Sequence, residues 1–232
     1  MTNPCRRHFV RVSAAIEAAA ANPTQTMAGA TAYEHQLNQL LQDRLRLKQV
    51  QSNQGKAELK RQLLPDYIPY VQGVLEGGKG AQDEVLTTIM VWRIDAEDFN
   101  GALDIADYVL KHKLIMPDRF ERTTGCLVAE EIATVALKAL KVGESFELAI
   151  LQRTAELTDA EDMPDQACAK LFLAMGRATL EGVNDERPGQ PGQVQAGIDL
   201  LKKAIDLHDA CGGKKDLERA ERLLNKLAAA GS

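Results

Sequence analysis

Apolar positions along this chain recur at helical spacing. Over 96–112, Phe99, Ala102, Leu103, Ala106, Val109 and Leu110 fall at offsets 0, 3, 4, 7, 10 and 11. That is the period of an amphipathic helix. Asp104, Asp107 and Lys111 take the opposite face. Asp95, with Asp98 three residues on, is the expected N-cap. Residues 80–94 place Ala81, Val85, Ile89 and Trp92 on one stripe. Residues 31–51 predict a helix with a narrow seam of Tyr33, Leu37, Leu40 and Leu47, interrupted by Arg44.

The same reasoning predicts helices elsewhere. A short Ala-rich helix is expected over 5–21, ended by Asn22-Pro23 and followed by a linker over 22–30. After a break at Ser52-Asn53-Gln54-Gly55, a helix over 56–64 is expected to stop before Pro65. Further helices are predicted over 126–142, 146–158, 165–181, 194–210 and 214–229. Gly143, Gly182 and Gly212-Gly213 supply stops, and Ser145 and Asp165 supply starts. No segment alternates with a period of two. The expected fold is all-α, built of antiparallel helical hairpins. The 80–112 and 172–204 hairpins are partly tetratricopeptide-like in their small-residue faces. Phe172, Met175, Gly176, Gly197, Leu201 and Ala204 carry that pattern in the second. Simple helix–helix packing explains the same residues.

Composition narrows the function classes. Aromatics are only 4% of the 232 residues. That disfavours an all-β fold and a protein that stacks single-stranded bases on aromatic platforms. No apolar run approaches the roughly 20 residues of a membrane span, so no membrane association is expected. Cys5, Cys126, Cys168 and Cys211 are far apart, with no zinc spacing, and read as free thiols of a reducing cytoplasm.

Charge is unevenly spread. Residues 1–61 hold nine Lys/Arg against four acids, a net of +5, so the remainder carries −10 of the overall −5. This divides the chain into a basic N-terminal helical segment, 1–62, for DNA binding and/or oligomerisation, and an α-helical core domain, 63–232. Phosphate neutralisation is the physical basis of duplex-DNA binding. Arg6, Arg7, Arg11, Arg44, Arg46, Lys48, Lys60 and Arg61 are the candidate DNA-binding residues. Arg7 and Arg11 share a helix face, as do Arg44 and Lys48.

Catalytic signals are weak. The run Gly73–Gly80 approaches the phosphate-loop pattern, but Gly80 stands where the magnesium-holding hydroxyl belongs. A glycine turn between helices explains it better. Carboxylates gather at Asp95, Glu97 and Asp98, and at Asp159, Glu161, Asp162 and Asp165. Converging carboxylates can hold Mg2+ for a nuclease, and Asp95, Glu97 and Asp98 are the candidate catalytic residues for that chemistry. Both groups sit at helix starts, where acids favour the positive end of the dipole, and helix capping is by far the better explanation. No cofactor is expected, with Mg2+ required only by the nuclease reading.

Several blocks together resemble the small terminase subunit, or terminase endonuclease subunit, of peduovirus-type tailed bacteriophages. They are Arg11-Val12-Ser13-Ala14-Ala15, Glu58-Leu59-Lys60-Arg61-Gln62-Leu63-Leu64-Pro65 and Gly73-Val74-Leu75-Glu76. Gly78-Lys79-Gly80-Ala81-Gln82-Asp83, Trp92-Arg93, Gly101-Ala102-Leu103 and Met116-Pro117 continue the series. Glu156-Leu157-Thr158, Asp162-Met163-Pro164-Asp165 and Gly213-Lys214-Lys215 complete it. The resemblance implies a DNA-packaging role in the bacterial host cytoplasm. It implies recognition of cohesive-end viral DNA, a large ATPase subunit as partner, and a homo-oligomeric ring. Two alternatives stay open: a magnesium-dependent endonuclease cutting that DNA itself, and a helical-repeat adaptor that binds a peptide.

Overall fold

The computed structural model describes residues 3–23, 25–117 and 122–230. The linker expected over 22–30 includes residue 24, which lies outside them. Among the described residues the chain forms ten helices, and its sole extended pairing is one isolated bridge between Thr26 and Gln82. The helices divide into two compact units, 1–124 and 125–232.

The first unit contains α1 (Pro4–Ala20), α2 (Thr31–Gln49), α3 (Asn53–Gly77), α4 (Glu84–Asp95) and α5 (Phe99–Lys111). Their starts are chemically marked. Asn3 Oδ1 accepts from the Cys5 amide at 2.9 Å, with Pro4 at the first helical position. Ser52 caps α3 through the Gly55 amide, and Asp83 caps α4 through the Leu86 amide. Asp98, not Asp95, caps α5, accepting from the Gly101 amide at 3.1 Å. Asp95 is instead the last residue of α4. The intervening turn uses Glu97 in a left-handed conformation, φ 66°.

Helix α3 is the spine of this unit. It runs through Pro65 and Pro69 rather than ending before the first. A proline inside a helix forfeits one intrahelical bond and crowds the preceding turn. Burial of Leu63, Leu64, Tyr67, Tyr70, Val71 and Val74 offsets that cost. The helix therefore also takes up Gly73–Gly77, so the glycine-rich run is not a phosphate-binding loop.

Packing of α1 on α3 is unusually close. A Cβ at Gly73 would collide with the Arg11 carbonyl and stand 2.8 Å from Ala14 Cβ. A Cβ at Gly77 would collide with the Ala15 backbone. These pairings advance together along both helices, so α1 and α3 run in the same direction. Antiparallel hairpins produce this relation: Glu17 meets Ala32 while Arg6 and Arg7 lie beside His35 and Gln39, so α2 reverses the chain between them. A polar clasp holds the far edge. The Gln82 backbone pairs with Gln25 and Met27, while its side chain bonds both the amide and the carbonyl of Ile115 at 2.8 and 2.7 Å.

The second unit contains α6 (Thr124–Lys141), which begins at the boundary, α7 (Leu148–Thr158), α8 (Asp165–Thr179), α9 (Gln193–Leu207) and α10 (Lys214–Ala230). Gly176 lies against Leu201, and Gly197 against Leu180, so α8 and α9 are antiparallel with small residues at the crossing. Val183, Val194, Ile198 and Ala220 form one core cluster, which Leu217, Leu223, Leu224 and Leu227 of α10 extend. Gly143 and Gly182 adopt positive φ after α6 and α8, as helix stops require. Ser145 does not cap α7. Glu147, in an extended conformation, precedes the helix without a side-chain cap.

Candidate nucleic-acid interface

The cations expected to meet DNA divide into two groups once folded. Arg11 forms an ion pair with Glu76 of α3. Arg44 donates to Glu84 Oε1 at 2.8 Å and to Thr88 at 2.9 Å, which explains a charge in the apolar seam of α2: it ties α2 to α4. Arg46 donates to Asp43 at 2.9 Å, and buried Asp43 also accepts from Tyr67 Oη at 2.8 Å. Lys60 pairs with Asp95. Arg61 reaches Glu58, Glu97 and the Ala96 carbonyl. These five are engaged in bracing the first unit.

Arg6, Arg7 and Lys48 are different. All three are exposed, and among the described residues none has an ion pair with a carboxylate. Arg6 and Arg7 line a small cleft of about 120 Å³ with His35, Gln36 and Gln39 of α2 and Asp66 of α3. Gln36 is 3% exposed, and its Oε1 finds no partner. An unsatisfied buried acceptor is costly, so the cleft combines two free guanidiniums with an unmet hydrogen-bonding group.

The candidate catalytic carboxylates are brought to one turn but not to one ligand. Asp95 is held by Lys60, Glu97 by Arg61, and Asp98 by Arg93 at 2.9 Å while also capping α5. Each negative charge thus already has a cation beside it. No group of three His, Cys, Asp or Glu able to hold a metal ion occurs among the described residues. Asp159, Glu161 and Asp162 lie between α7 and α8, and Asp165 is the first residue of α8. Lys79 is exposed just beyond α3, and the neighbouring Gly80 amide donates to Tyr108 Oη at 2.8 Å. That amide is therefore satisfied within the unit.

Apolar surface is also exposed. Phe9, Val12 and Ile16 are 70%, 40% and 64% exposed and lie on the face of α1 turned away from Ala14 and Ala18. On α2, Leu41 and Leu45 form a second exposed pair. No helix among the described residues is long and apolar enough to cross a membrane.

Comparison with known proteins gives one consistent result. The family model described as the phage small terminase subunit matches residues 37–166. The terminase, endonuclease subunit of Escherichia phage P2 is 42% identical over 224 residues, covering 97% of this chain and 86% of that protein. The probable terminase, endonuclease subunit of Haemophilus phage HP1 (strain HP1c1) is 26% identical over 186 residues. That alignment covers 76% of this chain and 64% of its relative. No solved structure matches.

Proposed function

The chain belongs to the phage small terminase subunit family, which serves phage DNA packaging, and from that premise we propose that it recognises viral duplex DNA at the cohesive-end site. It then directs cleavage and packaging by the large ATPase subunit. The observation that carries this reading is the state of Arg6 and Arg7. They are exposed, without an acidic partner among the described residues, and placed together at the α1–α2–α3 cleft. Lys48 adds a third free cation on α2. Arg11, Arg44, Arg46, Lys60 and Arg61 act mainly by holding these helices in place, because each already has a partner within the chain. They belong to the interface through their positions rather than through free charge.

Self-association is part of the same reading. The stripe of Phe9, Val12 and Ile16 follows a three-then-four spacing, the pattern of a helix-to-helix seam. A ring of copies would repeat the Arg6–Arg7 pair and multiply weak phosphate contacts by avidity. The two hairpin regions with tetratricopeptide-like faces serve as packing surfaces in this view, not as a peptide groove.

A direct nuclease role is the second reading, favoured by the word endonuclease in the names of both relatives. The neutralised carboxylates at Asp95, Glu97 and Asp98 weigh against it. One set of assays separates the two. Purified chain is titrated with cohesive-end duplex and with a scrambled duplex, across a range of salt. Preference for the cohesive-end duplex, with affinity falling as salt rises and weakened by Arg6→Gln and Arg7→Gln, supports recognition. Equal affinity for both duplexes overturns it. Nicking with Mg2+ and no large subunit, abolished by Asp95→Asn or Asp98→Asn, establishes the nuclease role instead.

A further inference from the structure

The second unit is acidic in sequence, yet the outward face of α10 is not. Lys215, Arg219, Arg222 and Lys226 follow a four-three-four spacing and are all exposed. At 1.5 Å per residue they form a row about 16 Å long on one side of the helix. The leucines of α10 turn the other way, into the core with Val183, Val194 and Ile198.

The charges on α10 are resolved asymmetrically. Two of its three acids are neutralised from outside the helix. Asp216 accepts from Arg177 of α8 at 2.8 Å, and Glu221 pairs with Lys202 of α9 at 3.0 Å. Glu218 alone has no cationic partner among the described residues, although its carbonyl accepts from Arg222. The bases are freer. Lys215 and Arg219 have no carboxylate partner among the described residues, and Arg222 bonds only that carbonyl. Lys226 is held at 2.7 Å by Asp185, but both ends of that pair are more than half exposed. Such a pair is weak and readily exchanged. Lys141, also free, lines the groove of about 430 Å³ that Arg219 borders. A positive row therefore survives along α10, although Asp185 and Glu186 face Arg219, Arg222 and Lys226 across the adjoining groove.

We infer that the Lys215–Arg219–Arg222–Lys226 ridge of α10 is a second DNA-phosphate contact, lying outside the basic N-terminal segment. This rests on the DNA-recognition reading above. A row of long cationic side chains along a convex helix face complements a row of phosphates. An acidic helix docking here would instead seek apolar anchors inside a groove; the groove that Arg219, Arg222 and Lys226 line is faced by Asn184, Asp185 and Glu186, with only Val183 and Leu223 apolar among its lining residues. The ridge contributes affinity without reading bases, as backbone contacts do.

The test uses the full chain and a short duplex of arbitrary sequence. Binding is measured between about 50 and 200 mM salt, where each phosphate contact adds about 0.9 to the slope of log affinity against log salt. Changing Lys215, Arg219, Arg222 and Lys226 together to Gln is expected to lower that slope by about two to three. Affinity at the low-salt end should fall at least about tenfold. Glu218→Gln is the opposing variant: removing the uncompensated acid should tighten binding severalfold, which misfolding cannot mimic. Unchanged slope and affinity in both variants overturn the ridge while leaving cohesive-end recognition standing. If the fourfold variant keeps DNA binding but loses capture of the large subunit, the ridge is a protein-docking face and the inference is wrong. If the unaltered chain binds no duplex at all, the recognition reading itself fails, and the ridge with it.

Discussion

Tyr70 donates its phenolic hydrogen to Asp83 Oδ2 across 2.6 Å, joining the middle of α3 to the cap of α4. Both residues are fully buried. The carboxylate's other oxygen accepts from the Leu86 amide at 2.8 Å. Tyr70→Phe keeps the ring and deletes this donor, leaving a buried carboxylate oxygen short of a partner. A loss of about 1–3 kcal/mol is expected. Urea denaturation checks it, and an unchanged midpoint would show that Asp83 does not depend on Tyr70.

The same carboxylate makes the first unit sensitive to pH. Burial pushes the Asp83 carboxyl up from 3.8 to about 6, against the pull of its hydrogen-bond donors. Between those values the folded chain holds a proton that the unfolded chain has released. Stability therefore falls as pH rises through this window, is full below about 4, and has lost the contribution above about 6. A shift of this size corresponds to roughly 3 kcal/mol. Asp83→Asn keeps an oxygen for the cap and removes the titration. The difference between wild-type and variant stability should slope downward from pH 4 to pH 6 and then level. A flat difference across that range would contradict the assignment.

Seating of α1 depends on glycine. Gly73→Ala places a methyl against the Arg11 carbonyl and Ala14. Overpacking of this kind costs about 1–3 kcal/mol. The strain falls on α1, which carries Arg6, Arg7 and Arg11, so limited trypsin digestion should cut there faster while the rest of the chain stays intact. DNA affinity should fall in parallel. Equal digestion rates in variant and wild type would mean that α1 accommodates the extra carbon.

The exposed stripe on α1 predicts a change in size. Phe9→Ser with Ile16→Ser removes apolar surface from two side chains that are mostly exposed, so folding stability should move by no more than about 0.5 kcal/mol. Light scattering should show a smaller particle than wild type at the same concentration. A mass equal to one chain in both proteins would remove self-association through α1.

Much of the architecture was legible in the pattern of residues. In α5, Phe99, Ala102, Leu103, Ala106 and Val109 are buried, and Asp104, Asp107 and Lys111 are exposed, as their spacing requires. Glycine stops at Gly143 and Gly182 held because they need no tertiary help. Pro65 misled because burial of its neighbours outweighs a local preference that sequence registers alone. Asp95 and Asp98 are both plausible caps locally; which one serves depends on where α4 ends. The charge reading had the same weakness at greater cost. The basic residues of 1–61 are real, but the partners of Arg11, Arg44, Lys60 and part of Arg61 come from Glu76, Glu84, Asp95 and Glu97, further along the chain. Conversely, the spacing of Lys215, Arg219, Arg222 and Lys226 was visible, but a regional net charge conceals it. Only the fold shows which acids beside them are already taken.

The parallel seating of α1 on α3 has a consequence for synthesis. Ala14 and Ala15 find their glycine seats near residues 73 and 77, roughly sixty positions later. A chain leaving the ribosome from its N-terminus therefore carries α1 with both apolar faces bare until α3 has emerged. At about 5–20 residues per second this interval lasts several seconds. Neighbouring nascent chains on one message present the same stripe of Phe9, Val12 and Ile16 at the same time. If copies associate through that stripe as proposed, the contact is open to them before either copy has finished folding, so the order of emergence matters as well as the final surface.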